Sequence, residues 1–180
     1  MDRASWFVMA GYSGTPLAKK LGIKPGHAVV AMGEEPASFT DAIDLPEGAR
    51  LFHQLRPGPI DVLVLFVDRV AELERRFATL TARMHPAGGL WIAWPKKTSR
   101  RITDITEDVV RRIGLAGGLV DNKVCAIDDT WSGLHLVVRV ENREAVAYRA
   151  EPPAPKRKPR PRSRTGVGGS VPRAQARVSR

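Results

Sequence analysis

Apolar and polar positions change period several times along this chain, and each change marks an element. Between Ile60 and Val67 nearly every position is apolar: Ile60, Val62, Leu63, Val64, Leu65, Phe66 and Val67. Such a run predicts a strand covered on both faces. From Val70 the period lengthens. Val70, Leu73, Phe77, Leu80 and Met84 recur at steps of three and four, which predicts one buried face of a helix over Val70 to Met84. Pro86 and Gly88-Gly89 then read as its stop, and Leu90 to Trp94 as a second buried strand. Strand, helix, strand at this spacing is a parallel β-α-β unit, so the chain predicts an open α/β sheet.

The flanking pattern extends that sheet. Thr15-Pro16 is a helix start, with a hydroxyl to cap and a proline whose missing N–H costs nothing at the first position, and Gly22 ends the short segment Leu17 to Leu21. His27 to Met32 predicts a strand, Ser38 to Ile43 a short helix, and Leu51 to Leu55 a modest strand. Asp104 followed by Glu107 resembles a capping box for a helix whose inner face is Ile105, Val109 and Ile113. Val120 to Ile127 and Leu134 to Val140 then predict an antiparallel pair joined through Asp128 to Gly133. The expected architecture is three-layer α/β: a mostly parallel sheet that ends in an antiparallel hairpin.

Charge divides the chain. Lys+Arg total 29 against 19 Asp+Glu, but nine of the basic residues and none of the acids lie beyond Glu151, which leaves 20 against 19 before that point. The body is near neutral and the end is strongly cationic. The division reads as a leader over residues 1–10, with Met1 and Met9 both open as the native start, one domain over 11–150, and a disordered Pro/Arg-rich tail over 151–180 that cannot bury enough apolar area to order itself. No apolar run approaches the ~18 residues that span a bilayer, and the short patch Trp6 to Ala10 lacks the features of a signal peptide. A single cysteine, Cys125, excludes an intramolecular disulfide and fits a reducing cytoplasm.

Parallel strands put their carboxyl ends on one rim, and ligands of open α/β sheets bind there. That rim should receive Gly33, Glu34, Arg56, Asp68, the run Trp94 to Lys97, and the turn with Asp128, Asp129 and Trp131. The two tryptophans would offer stacking surfaces. Lys96, Lys97, Thr98, Ser99, Arg100 and Arg101 form a basic loop just ahead of a helix, a candidate anion site. Tail residues Lys156, Arg157, Lys158, Arg160, Arg162 and Arg164 are candidates for nucleic-acid contact by counterion release, without sequence readout. His27, His53, His85 and His135 show no metal-ligand spacing, and no Ser/His/Asp or Cys/His constellation is visible. No metal ligand and no catalytic residue is assigned.

Two resemblances add to this reading. The order of elements, with His85-Pro86-Ala87-Gly88-Gly89-Leu90-Trp91-Ile92 before a late strand, resembles the Rossmann-like class I methyltransferases. In that family the cofactor loop falls at Ala31 to Ser38; only Gly33 of its glycines is present, with Glu34 and Glu35 beside it. No acid follows Leu51 to Arg56 to hold ribose hydroxyls. On that ground S-adenosylmethionine is not expected as a cofactor. Tyr12 to Gly26, Asp121 to Arg139 and the Trp94 to Lys97 run resemble the bacterial family catalogued as domain of unknown function 3052, which implies a compact intracellular protein and no particular reaction.

The leading expectation is a small cytoplasmic protein, non-catalytic, that binds an unidentified small anion or regulates a partner. The alternative is an enzyme dependent on S-adenosylmethionine or a nucleotide; the second alternative is a nucleic-acid-associated protein acting through its tail.

Overall fold

A computed structural model describes residues 14–144. The expected leader and basic tail, with their candidate nucleic-acid contacts, lie outside the described residues. Within them the elements run α1 (Leu17–Leu21), β1 (Ala28–Gly33), α2 (Ala37–Ala42), β2 (Arg50–Phe52), β3 (Ile60–Phe66), α3 (Val70–Thr81), β4 (Met84–Pro95), α4 (Glu107–Ala116), β5 (Val120–Ala126) and β6 (Trp131–Val137). The six strands form one sheet in the order β2-β1-β3-β4-β6-β5. β2, β1, β3 and β4 are parallel; β6 is antiparallel to both β4 and β5.

Alternating side chains along each strand feed two separate cores. Val30, Leu63, Leu65, Leu90, Ile92, Leu134 and Leu136 pack with Leu73, Phe77 and Leu80 of α3 and Val110 of α4. Val29, Ala31, Val62, Val64, Phe66, Trp91, Ala93 and Trp131 pack on the other face with Ala18 and Leu21 of α1 and Phe39 of α2. The sheet is thus the middle of three layers. Trp91 anchors α1 from within it, donating its indole N–H to the Leu21 carbonyl at 3.0 Å. No helix among the described residues is long and apolar enough to cross a membrane.

Local expectations fail at three places. α3 stops at Thr81, and β4 begins at Met84, before the residues expected to break the chain. The cause lies in the register: Ile60 pairs with Met84 but Val62 with Gly89, so a bulge on β4 accommodates Pro86, Ala87 and Gly88. A proline is tolerated in a bulge because no ladder bond needs its N–H. Asp104 does not cap α4. Thr106 does, accepting from Val109 N at 3.3 Å, while Asp104 Oδ1 accepts the Val70 N–H at 2.7 Å and caps α3 instead. At α1 the N-cap position is Pro16 with no side-chain cap, so Thr15 plays no such part.

Candidate functional site

The chain leaves β1 for β2 on one side and later returns to β3 on the other. This reversal makes the carboxyl ends of β1 and β3 the switch point, where open α/β sheets bind ligands. β1 ends on Gly33 with φ of 91°, and a Cβ there would run into the Phe66 carbonyl oxygen at the end of β3. The next amide, Glu34 N, donates to that same oxygen at 2.9 Å. Only glycine permits this turn, because a side chain would be strained by φ and blocked by backbone.

Two acids follow. Glu34 pairs with Arg101 at 2.5 Å, and both groups are substantially exposed. Glu35 is held differently. Its Oε1 accepts the Thr40 hydroxyl at 2.9 Å, from the first helix after the loop, and its Oε2 lies 2.9 Å from His53 Nδ1, just past β2. The Glu35 side chain is only 12% exposed. Sequence alone gives Glu35 no ligand role, because the acid expected there would follow β2; the Glu35 carboxylate instead reaches the β2 tip from the neighbouring loop.

The basic loop meets the Asp128 turn because β4 and β6 pair as far as Pro95 opposite Trp131. Lys96 N donates to Thr130 O at 2.7 Å, and Lys96 Nζ to Asp128 O at 2.6 Å. Asp128 Oδ1 accepts from Thr130 N and Trp131 N at 2.8 and 2.7 Å, so this carboxylate shapes its own turn. Asp129 is exposed. Ser99 bonds back to Lys96 O at 2.7 Å, closing a short 3-10 turn over Lys97–Ser99 that includes Thr98. Arg101 lies over the Trp131 ring at 5.0 Å and is already paired with Glu34. Of the four cations, Lys96 and Arg101 are therefore committed to protein partners, while Lys97 and Arg100 are exposed. A cleft of about 530 Å³ opens beside this loop, lined by Trp94, Lys96, Lys97, Thr103, Glu107 and Ser132 among others.

Other rim expectations resolve differently. Trp131 is fully buried and Trp94 is 8% exposed, so both rings are core rather than open stacking surfaces. Trp131 packs edge-on against Phe66 at 5.2 Å. Arg56 does not join the loop; it stacks on Phe52 at 4.2 Å and lines a separate cleft with His27 and Arg50. The Asp68 carbonyl accepts from the Thr103 hydroxyl at 2.8 Å and Asp104 N at 3.3 Å, fastening the loop before α4 to the end of β3. Among the described residues no three of His, Cys, Asp or Glu are grouped to hold a metal ion. Burial raises the Cys125 thiol pKa, against the opposing pull of Lys123 and Lys20.

No protein-family model matches the chain, so the resemblance to domain of unknown function 3052 gains no support there. No curated protein matches it either. Among solved structures, it is similar to the mitomycin 7-O-methyltransferase, at 11% identity over 69% of this chain and 53% of that one, with a TM-score of 0.51. It is also similar to a SAM-dependent methyltransferase from Aquifex aeolicus, at 15% identity over 68% and 88% of the two chains and a TM-score of 0.48. A third is the magnesium protoporphyrin IX methyltransferase from Synechocystis PCC 6803 with bound SAM, at 13% identity over 68% and 74% and a TM-score of 0.48.

The likeness is one of fold, and it corrects three expectations. The sheet is that of methyltransferases, mostly parallel with an antiparallel pair. The reading of a non-catalytic binding or regulatory protein gives way to that of an enzyme fold. The leaning away from an enzyme goes with it. S-adenosylmethionine can no longer be set aside because the glycine-rich loop is incomplete, since this chain builds the same sheet without those glycines.

Proposed function

We propose that this chain is an S-adenosylmethionine-dependent enzyme, with the cofactor held at the carboxyl edge of β1 and β2. The supporting observation is the Glu35 carboxylate. It is mostly buried, fixed on one oxygen by Thr40 and on the other by His53, at the tip where β1 and β2 run side by side. A carboxylate has about four lone-pair sites, so each oxygen retains one acceptor position for a hydroxyl of a vicinal diol. That pair of acceptors fits the two hydroxyls of a ribose, and the turn at Gly33 fits the first bend of a cofactor loop. Once bound, S-adenosylmethionine supplies an activated methyl group. Glu35 would hold the ribose, His53 and Thr40 would orient Glu35, and the cleft beside Lys97 would receive the second substrate.

Isothermal titration of the full chain with S-adenosylmethionine and S-adenosylhomocysteine tests this. Saturable binding is expected, and Glu35→Gln should weaken it about ten- to hundredfold, the value of one hydrogen bond to a charged group. Absence of binding by the wild type, or equal affinity in Glu35→Gln, overturns the proposal.

A further inference from the structure

A third cleft, of about 390 Å³, lies at the opposite edge of the sheet, where β1, β3 and β4 begin. Six segments meet there. The turn before β1 brings Lys24 and His27, β3 brings Asp61, and the bulge of β4 brings His85. β5 and β6 bring Asn122 and His135, and the turn after β6 brings Arg143.

The hydrogen bonds settle what each ring presents. Lys24 N donates to His27 Nδ1 at 3.2 Å, and Ala87 N donates to His85 Nδ1 at 3.1 Å. A ring nitrogen that accepts a main-chain N–H carries no hydrogen, so in each neutral ring the hydrogen is on Nε2. His135 Nδ1 lies 3.2 Å from Asn122 Nδ2, and an amide nitrogen can only donate, so this ring also keeps its hydrogen on Nε2. His135 stacks on Trp91 at 4.6 Å between ring centres. Its Nε2 edge fits only because Gly89 has no side chain, since a Cβ there would meet His135 Nε2. Burial first, and then the charge of Lys123, push the His135 pKa down to about 4, so the ring is neutral at physiological pH.

The cleft therefore combines two cations, Lys24 and Arg143, with imidazole N–H donors and one carboxylate. Asp61 already uses Oδ2 to accept Ala28 N at 2.8 Å. Arg143 Nε donates to Val138 O at 3.4 Å, and among the described residues the two terminal nitrogens of its guanidinium are left for a ligand. Donors outnumber acceptors, and a metal on Nε2 would force each ring hydrogen onto Nδ1, against the N–H group that donates there. This inventory suits an oxyanion.

We propose that this amino-edge cleft binds a phosphate group, with Lys24 and Arg143 supplying charge and His27 and His85 supplying Nε2–H donors. The volume exceeds that of the anion alone, so a phosphate monoester of a small molecule is the ligand class. The site is separate from the Glu35 edge, and its test does not depend on that reading.

The chain has four histidines, and the fourth, His53, is bonded to Glu35 at the other edge. Side-chain resonances of all four, followed by NMR during titration of the full chain with inorganic phosphate, provide an internal reference. Saturable movement of His27, His85 and His135 with His53 stationary is expected. The double substitution Lys24→Ala with Arg143→Ala should weaken the response by at least about tenfold while the melting midpoint stays near that of the wild type. Non-saturating drift, equal movement of all four rings, or an unchanged titration in the double variant overturns the proposal.

Discussion

His135 makes the stability of this fold depend on pH in a way that can be isolated. The ring stacks on Trp91, its partner across the β4–β6 pair, and burial pushes its pKa from 6.5 down to about 4. In the unfolded chain the ring takes up a proton near 6.5; in the folded chain it resists until about 4. Between those values the unfolded state binds more protons, so acidification favours unfolding. The stabilisation is complete above pH 6.5, declines through the window, and is fully lost below about 4. At about 1.4 kcal/mol per pH unit, the whole window is worth about 3 kcal/mol. Urea unfolding from pH 7.5 to pH 4 should show this loss in the wild type. His135→Asn removes the titrating group, so whatever its baseline stability, its pH dependence should be shallower by about 3 kcal/mol. Carboxylates titrate alike in both proteins and cancel in the comparison. Parallel stability curves for the two proteins would refute the reasoning.

Two further outcomes test the packing. Gly33→Ala should lower the urea midpoint by the equivalent of at least about 2 kcal/mol with an unchanged slope, because both the left-handed φ and the Phe66 carbonyl oppose a side chain. Asp104→Ala should cost about 1 kcal/mol, and hydrogen exchange should place the loosening in the first turn of α3 rather than α4.

What was legible in the sequence follows the range of the forces involved. The β3-α3-β4 unit could be read because burial on both faces leaves an uninterrupted apolar run, and because Leu73, Phe77 and Leu80 repeat at the helix period. The start of β4 could not. Pro86 and Gly88 are breakers in isolation, and only the pairing with β3 turns them into a bulge. Asp104 followed the same logic. Its spacing to Glu107 suggested a local cap, but its partner, Val70, is 34 residues away. At the rim, strand direction was enough to bring Lys96 to the Asp128 turn, as their bond shows. Glu35 stayed hidden because its meaning depends on His53, which β2 carries to it from 18 residues along the chain.

The loop after β1 raises a sharper question: what do its missing glycines do elsewhere? In the nucleotide-binding turns of other open α/β sheets, one glycine makes the tight turn, a second lets backbone approach the ligand, and a third lets the helix pack closely on the strand. Gly33 keeps the first role. The third is met by another means, since Phe39 of α2 packs edge-on against Phe66 of β3 at 5.0 Å, which fixes the helix with bulk instead of close approach. Only the second role is open, and it falls to Glu34 and Glu35. Both side chains run sideways, Glu34 to Arg101 and Glu35 to Thr40 and His53. Glu34→Gly isolates the issue. It should cost no more than about 2 kcal/mol, from backbone entropy and an exposed ion pair. It should also leave affinity for S-adenosylmethionine equal or higher, because a Cβ is removed and the Glu35 carboxylate is untouched. If Glu34→Gly abolishes binding while Glu35→Gln retains it, the ribose acceptor is the wrong glutamate, and the buried Glu35 carboxylate serves only to join the tips of β1 and β2.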